Sequence, residues 1–181
     1  CGDLPYYYLD FIESTLNTSL LYVHGNHDPV KEYLADGSAV SGPMGGVNLH
    51  CRTYNVNNLL LAGLEGSIRY RQGHFQYTQR EMWLNVIFYL MPRLLVNKLQ
   101  HGRYLDILVA HSPPYGIHNG EDHVHEGFRS FLWLMKVFQP RFLVHGHRHV
   151  YNPTETVETT FDQTKVINIY PYKFLDIEVD E

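Results

Sequence analysis

Four short motifs carry side chains that can hold metal ions or move protons: Gly2-Asp3, Gly25-Asn26-His27-Asp28, His111-Ser112-Pro113-Pro114 and Gly146-His147-Arg148-His149. Their donor atoms are a carboxylate, an amide oxygen and imidazole nitrogens, a set that suits Mn, Fe or Zn better than Mg or Ca. Asp3 can bridge two ions, Asn26 can offer its amide oxygen, and His111, His147 and His149 can offer ring nitrogens. His147 and His149 are separated by one residue, so on a loop after a strand both can reach one cluster. His27 adjoins Asn26 and is followed by Asp28. That pairing suits a general acid whose ring is oriented, and whose pKa is raised, by the carboxylate. Two cations about 3.5–4 Å apart neutralise the oxygens of an anionic phosphoryl group and lower the pKa of a water. The chemistry these residues fit is phosphoester hydrolysis.

Such residues must be brought together by the fold. Each motif follows an apolar run. Leu20–His24 reads as a strand that ends at Gly25, Asp106–Ala110 as one that ends at His111, and Phe142–His145 as one that ends at Gly146. Ligands in open α/β sheets collect at the carboxyl ends of strands, so motifs distant in sequence can converge. The intervening elements read as helices at Leu4–Leu16, Val30–Leu34 and Glu126–Phe138. A further helix runs from Thr78 toward Leu99, with Trp83, Ile87, Leu90 and Leu94 on its core face and a kink at Pro92. Ser38–Val47 reads as a surface loop, and two strands are expected near His50–Tyr54 and Asn58–Leu64. The tail, at about Thr156–Thr160, Lys165–Tyr170 and Lys173–Val179, reads as a β-meander. Repeats, linkers and low-complexity tracts are lacking, so residues 1–181 are read as one domain.

The bulk composition fits this picture. With 44% hydrophobic and 18% charged residues among 181, the chain has an ordinary globular balance. A formal net charge of -5 argues against a large nucleic-acid footprint. Cys1 and Cys51 make no disulfide framework, which points to a reducing, cytoplasmic setting. No apolar run is long enough to span a bilayer. Cys1-Gly2-Asp3 begins abruptly inside a motif, so the chain is read as a fragment, and a targeting segment could lie upstream.

The order Gly-Asp, Gly-Asn-His-Asp, His-Ser-Pro-Pro, Gly-His-Arg-His resembles the calcineurin-like metallophosphoesterase superfamily over nearly the whole chain. The resemblance implies an α/β fold, a four-layer αββα sandwich of two mixed sheets flanked by helices. It implies that Asp3 bridges two divalent or trivalent transition-metal ions. It also implies that Asn26, His111 and His147 bind one ion, that His149 binds the other, and that His27 assists catalysis. Hydroxide activated by the metals would attack phosphorus while His27 protonates the leaving group. The family opens with an Asp-x-His motif after its first strand, and Cys1 has nothing before it. The expectation is therefore a fragment without that strand and motif, with an impaired second site and low stability or activity. Family members that act on phosphoproteins carry Glu where Asp28 stands and an Arg soon after Gly-Asp, whereas the first Arg here is Arg52. The sequence looks closer to small prokaryotic phosphodiesterase-like members, with a small-molecule phosphoester or nucleotide as substrate. A nuclease of the same superfamily is an alternative, and so is an inactive scaffold; the presence of His27 favours an enzyme.

Other residues have plainer readings. His24 and His145, inside strands, are expected to be satisfied core histidines. His118, Asp122, His123 and His125 form a polar loop cluster that could rim the site but reads first as a solvated loop. Arg69 and Arg71 could clamp a phosphate, yet exposed loop charges are the default. Tyr6-Tyr7-Tyr8 reads as helix packing, and Trp83 and Trp133 as core.

Overall fold

The computed structural model describes residues 1–152 and 154–178. In chain order the elements are α1 (Tyr6–Leu16), β1 (Leu21–Tyr22), β2 (Glu32–Tyr33), β3 (Ala39–Val40), β4 (Val47–Asn48), β5 (Thr53–Val56), β6 (Leu59–Leu64), β7 (Ser67–Ile68), β8 (Gln76–Tyr77), α2 (Gln79–Leu84), α3 (Met91–His101), β9 (Ile107–Ala110), α4 (Arg129–Phe138), β10 (Phe142–His145), β11 (Glu158–Phe161) and β12 (Thr164–Asn168). A π-helical segment, Asn85–Leu90, joins α2 to α3.

Six strands form one mixed sheet in the order β11-β12-β10-β9-β6-β5. β12, β10, β9 and β6 run parallel, and the edge strands β11 and β5 are antiparallel to their neighbours. The central strand β9 reads Ile-Leu-Val-Ala and is buried throughout, as a strand covered on both faces must be. Side chains alternate between those faces. Ala62, Leu108, Leu143 and Val166 turn toward Met82, Leu90 and Leu94 of the long helix and Phe131 and Leu134 of α4. Ile107, Val109, Val144 and Ile167 turn the other way, onto Val23 and Leu49. Those two residues extend β1 and β4, a separate parallel pair. The result is the expected mixed α/β class, a six-stranded mixed sheet flanked by helices. Because the central strands are parallel, their carboxyl ends share one edge. There β6 runs into Glu65, β9 into His111 and β10 into Gly146 and His147.

Several local expectations change. Val30–Leu34 is not helical: Glu32–Tyr33 pairs antiparallel with Ala39–Val40, inside the expected loop. The segment is too short to nucleate a helix alone. Asp36-Gly37, with Gly37 at φ +82, supplies the turn instead. The strand expected at His50–Tyr54 begins at Thr53, after a turn in which Arg52 N–H donates to the Leu49 carbonyl at 2.8 Å. Asn57 and Asn58, both at positive φ, then form the tight turn into β6. The long helix starts at its Thr78 cap as expected, in a full capping box with Glu81. Pro92 falls in the first turn of α3, and the π segment before it takes up the disturbance. α4 begins at Arg129 rather than Glu126. Residues 173–178 form no strand, and Val179 lies outside the described residues.

Candidate metal centre

Two loops touch at the base of the site because both carry glycine. A Cβ on Gly2 (φ +85) would lie 2.2 Å from the Gly25 nitrogen, and one on Gly25 would lie 2.0 Å from Asp3 Oδ1. The contact lets Asp3 Oδ1 accept the His27 backbone N–H at 2.9 Å. His111 joins this base from the end of β9, almost wholly buried. Its Nδ1 donates to the Cys1 carbonyl at 2.6 Å, which leaves a lone pair on Nε2. His147, just past β10, donates from Nε2 to the Val124 carbonyl at 3.2 Å, which leaves a lone pair on Nδ1. Asn26 turns its Nδ2 toward the Tyr70 hydroxyl at 3.4 Å, so its Oδ1 faces inward.

These lone pairs meet. His111 Nε2 lies 2.9 Å from Asn26 Oδ1, 3.1 Å from His147 Nδ1 and 3.5 Å from Asp3 Oδ2. One atom from each of Asp3, His111 and His147 lies within 4.8 Å of the others. Four acceptors at such separations repel unless a proton or cation stands among them. A proton is disfavoured. Burial, then the charges of neighbouring groups, hold His111 well below the usual histidine range, and burial, with His111 next to it, brings His147 down to about 3. Neutral rings, an amide oxygen and a carboxylate are what a borderline transition ion takes as ligands, so the residues fit a metal.

The cluster opens into a cavity of about 560 Å³ whose walls include Asp3, His27, Asp122, His125, His147 and His149. His27 is exposed, and among the described residues its ring makes no hydrogen bond. Asp28, expected to orient that ring, instead accepts the Gly25 amide at 2.8 Å and is buried within the turn. Burial raises its pKa, and the Gly25 amide pulls the other way. His149 shares the cavity but stands apart from the cluster. Its ring stacks on Tyr170 at 4.3 Å, with Nδ1 3.2 Å from the Tyr151 hydroxyl. The loop cluster divides: Asp122 and His125, paired at 2.8 Å, rim the cavity. His123 pairs with Glu126 on the surface. His118 is buried, its ring between His145 Nε2 at 3.0 Å and Thr159 Oγ1 at 2.9 Å.

A buried support that sequence reasoning missed stands behind the Asn26 turn. Glu65, at the end of β6, accepts from Tyr77 Oη at 2.6 Å and lies 3.0 Å from His24 Nδ1. His24 Nε2 reaches Tyr6 Oη at 3.1 Å, and that hydroxyl donates to the Pro29 carbonyl. His24 is thus the satisfied core residue expected. Glu65 was legible from its position after a strand at the same sheet edge as His111, but a lone glutamate in a polar stretch gives no spacing to read. Tyr6 is buried as helix packing, whereas Tyr7 and Tyr8 are exposed. Trp83 and Trp133 are partly buried against each other, with ring centroids 5.5 Å apart.

Against known proteins, the sequence matches the family described as calcineurin-like phosphoesterase over residues 1–151. Among solved structures, TT1561 of Thermus thermophilus is 16% identical, with 91% of this chain and 68% of that chain aligned at a TM-score of 0.55. A second solved structure is 14% identical, with 91% of this chain and 63% of that chain aligned at a TM-score of 0.54. At these identities the structural likeness speaks for the fold. No curated protein matches the sequence.

Proposed function

The chain belongs to the calcineurin-like phosphoesterase family, and on that premise we propose a metal-dependent phosphoesterase that hydrolyses phosphodiesters of small molecules or nucleotides. The observation that carries this reading is the convergence of Asp3, Asn26, His111 and His147, all presenting lone pairs to one point. These four would hold one ion, Mn, Fe or Zn by their donor types. His149, in the same cavity, would be a ligand for a second ion. Bound there, the ions supply Lewis acidity, which neutralises phosphoryl oxygens and lowers the pKa of a water.

The chain's own residues do the rest. The Val124 and Cys1 carbonyls fix the tautomers of His147 and His111, so both rings present lone pairs without rearrangement. Asp3 orders the His27 backbone, which places a free imidazole on the cavity wall as the proton donor to the leaving alkoxide. Asp28 acts through the turn it braces, as a positioning residue. The formal net charge of -5 counts against a nuclease reading, since a polynucleotide footprint calls for a broad basic face. A reducing, cytoplasmic setting is part of the proposal. Among the described residues no helix is long and apolar enough to cross a membrane.

The test compares Mn-supplemented wild-type protein with His27→Ala on aryl phosphodiesters of rising leaving-group pKa. A general acid matters most for poor leaving groups. The variant should lose about 10²–10⁴-fold on a phenyl ester and much less on a nitrophenyl ester. An equal loss on both would remove His27 from the acid role, and no turnover by folded, metal-loaded protein would set the hydrolase reading aside.

A further inference from the structure

His27 belongs to two cavities. One is the metal-facing cavity. The other is a groove of about 330 Å³ lined by Asn26–Val30 on one side and by Arg71, Gln72, Gly73, His74 and Gln76 on the other. Among the described residues His27 is the one residue common to both. A substrate with its scissile phosphate at the Asp3 cluster and its ester oxygen near His27 would therefore extend its leaving group into this groove.

The groove wall is built by local structure. β7 and β8 pair in parallel and clamp the two ends of the segment between them. Ser67 N–H donates to the Phe75 carbonyl and Arg69 N–H to the Tyr77 carbonyl, each at 3.0 Å. Within the loop, the buried Gln76 side chain accepts the backbone N–H of Tyr70 at 3.3 Å and that of Arg71 at 3.4 Å. A Cβ on Gly73 would lie 2.5 Å from Gln76 Nε2, so glycine is what lets that side chain reach the two amides. Phe75 at the far end stacks on the buried His24 ring, with centroids 4.2 Å apart. The backbone that carries Arg71 is thus tied at both ends and in the middle.

Charge partners set Arg71 apart from the arginines nearest to it along the loop and in the metal-facing cavity. Arg69 is committed to Glu81 at 2.9 Å, and Arg148, on the metal-facing side, to Glu155 at 2.5 Å. Among the described residues Arg71 has no carboxylate partner, and its guanidinium lies 5.3 Å from the centroid of its neighbour Tyr70. His74 is exposed beside it. An acidic chain thus keeps an uncommitted guanidinium on an ordered loop that lines the same groove as its candidate proton donor. A guanidinium recognises carboxylate or phosphate through paired hydrogen bonds.

We propose that this groove is a subsite for a second anionic group on the leaving-group side of the substrate, a carboxylate or a further phosphate, with Arg71 as its recognition residue. The substrate class is then a phosphoester whose leaving group is itself charged. The inference rests on the reading that the scissile phosphate sits at the Asp3 cluster.

The test uses two aryl phosphodiesters that differ only in a carboxymethyl group on the leaving phenol, free in one and methyl-esterified in the other. Wild-type protein should favour the free carboxylate by about tenfold in kcat/KM. Arg71→Ala should bring that ratio to about one, and Arg71→Glu should reverse it. A ratio near one in wild type, or a preference that survives in Arg71→Ala, overturns the subsite. If neither ester is hydrolysed, the hydrolase reading fails, and a separate measurement decides the subsite. Metal-free protein is titrated with 4-hydroxyphenylacetate and followed by NMR. Saturable shifts at Arg71 and His74 in wild type, with the His74 shift lost in Arg71→Ala, support the groove as an anion site, and no saturable shift in wild type overturns it.

Discussion

Replacing Glu65 by Ala should be among the most damaging single changes in this protein outside the sheet core. The carboxylate is buried and serves several partners at once: Tyr77 at 2.6 Å, His24 at 3.0 Å and His50 at 3.7 Å. Hydrogen bonds to a charged group contribute about 1.5–3 kcal/mol each. Stripping one member from a buried ionic network costs about 3–5 kcal/mol because the partners stay buried without it. In a domain of this size, 1 kcal/mol corresponds to about 2–4 °C in Tm, so Glu65→Ala should melt about 6–20 °C below wild type. Glu65→Gln, which keeps shape and some hydrogen bonding, should fall between the two. The pH dependence has a definite sign. Burial alone would raise the Glu65 pKa, but the His24 hydrogen bond, the His50 charge and the Tyr77 hydrogen bond together hold it below the usual glutamate range. A group with a depressed folded pKa contributes stability that is complete above its unfolded value and is lost as pH falls through the folded value. Wild type should therefore lose stability on the acid side of the ordinary glutamate pKa, and Glu65→Ala should show a shallower acid slope there. Denaturant melts across acid pH read both quantities. A Glu65→Ala protein within about 1 kcal/mol of wild type, with the same acid slope, would refute the reasoning.

Other outcomes follow from packing and local structure. Leu108→Ala, in the middle of the buried strand β9, should cost about 2–5 kcal/mol in denaturant unfolding through lost burial and an unfilled cavity. Thr78→Ala removes the capping box of α2 and should cost about 1 kcal/mol by the same measurement, without altering metal binding. Gly66→Ala adds a Cβ 2.2 Å from the Phe75 carbonyl oxygen at a φ of +77, so it should displace the Arg71 loop and destabilise by more than about 1 kcal/mol, seen as raised hydrogen exchange in residues 67–77.

What the sequence made legible was set by the kind of signal each element carries. β9 and β10 are unbroken apolar runs that end in histidine, and runs of that kind carry both the strand and the site at its end. That Asp3, Asn26, His111 and His147 come together was readable for the same reason: each follows a strand or sits in a glycine turn. The hairpin of β2 and β3 was not readable, because a two-residue ladder is decided by the Asp36-Gly37 turn rather than by periodicity in Val30–Leu34. The π segment before Pro92 escaped too, since its hydrophobic spacing mimics an α-helix. Asp28 shows a limit of another kind. Adjacency to His27 suggested a pair, but in a turn neighbouring side chains diverge, and the carboxylate took the nearer Gly25 amide. His118 was grouped with exposed histidines by proximity in sequence, whereas the positive φ at His118 (+55) accompanies a ring packed inward against His145.

The central claim is that the four converging lone pairs are a metal site. The most direct measurement is Mn(II) binding by electron paramagnetic resonance to wild-type protein and to His147→Ala, which leaves the chain intact but removes one donor. Wild type should bind Mn(II) with an affinity at least about tenfold above that of the variant, the loss typical of disturbing a metal's ligand sphere. Equal binding by the two proteins, or none by a folded wild type, would contradict the account.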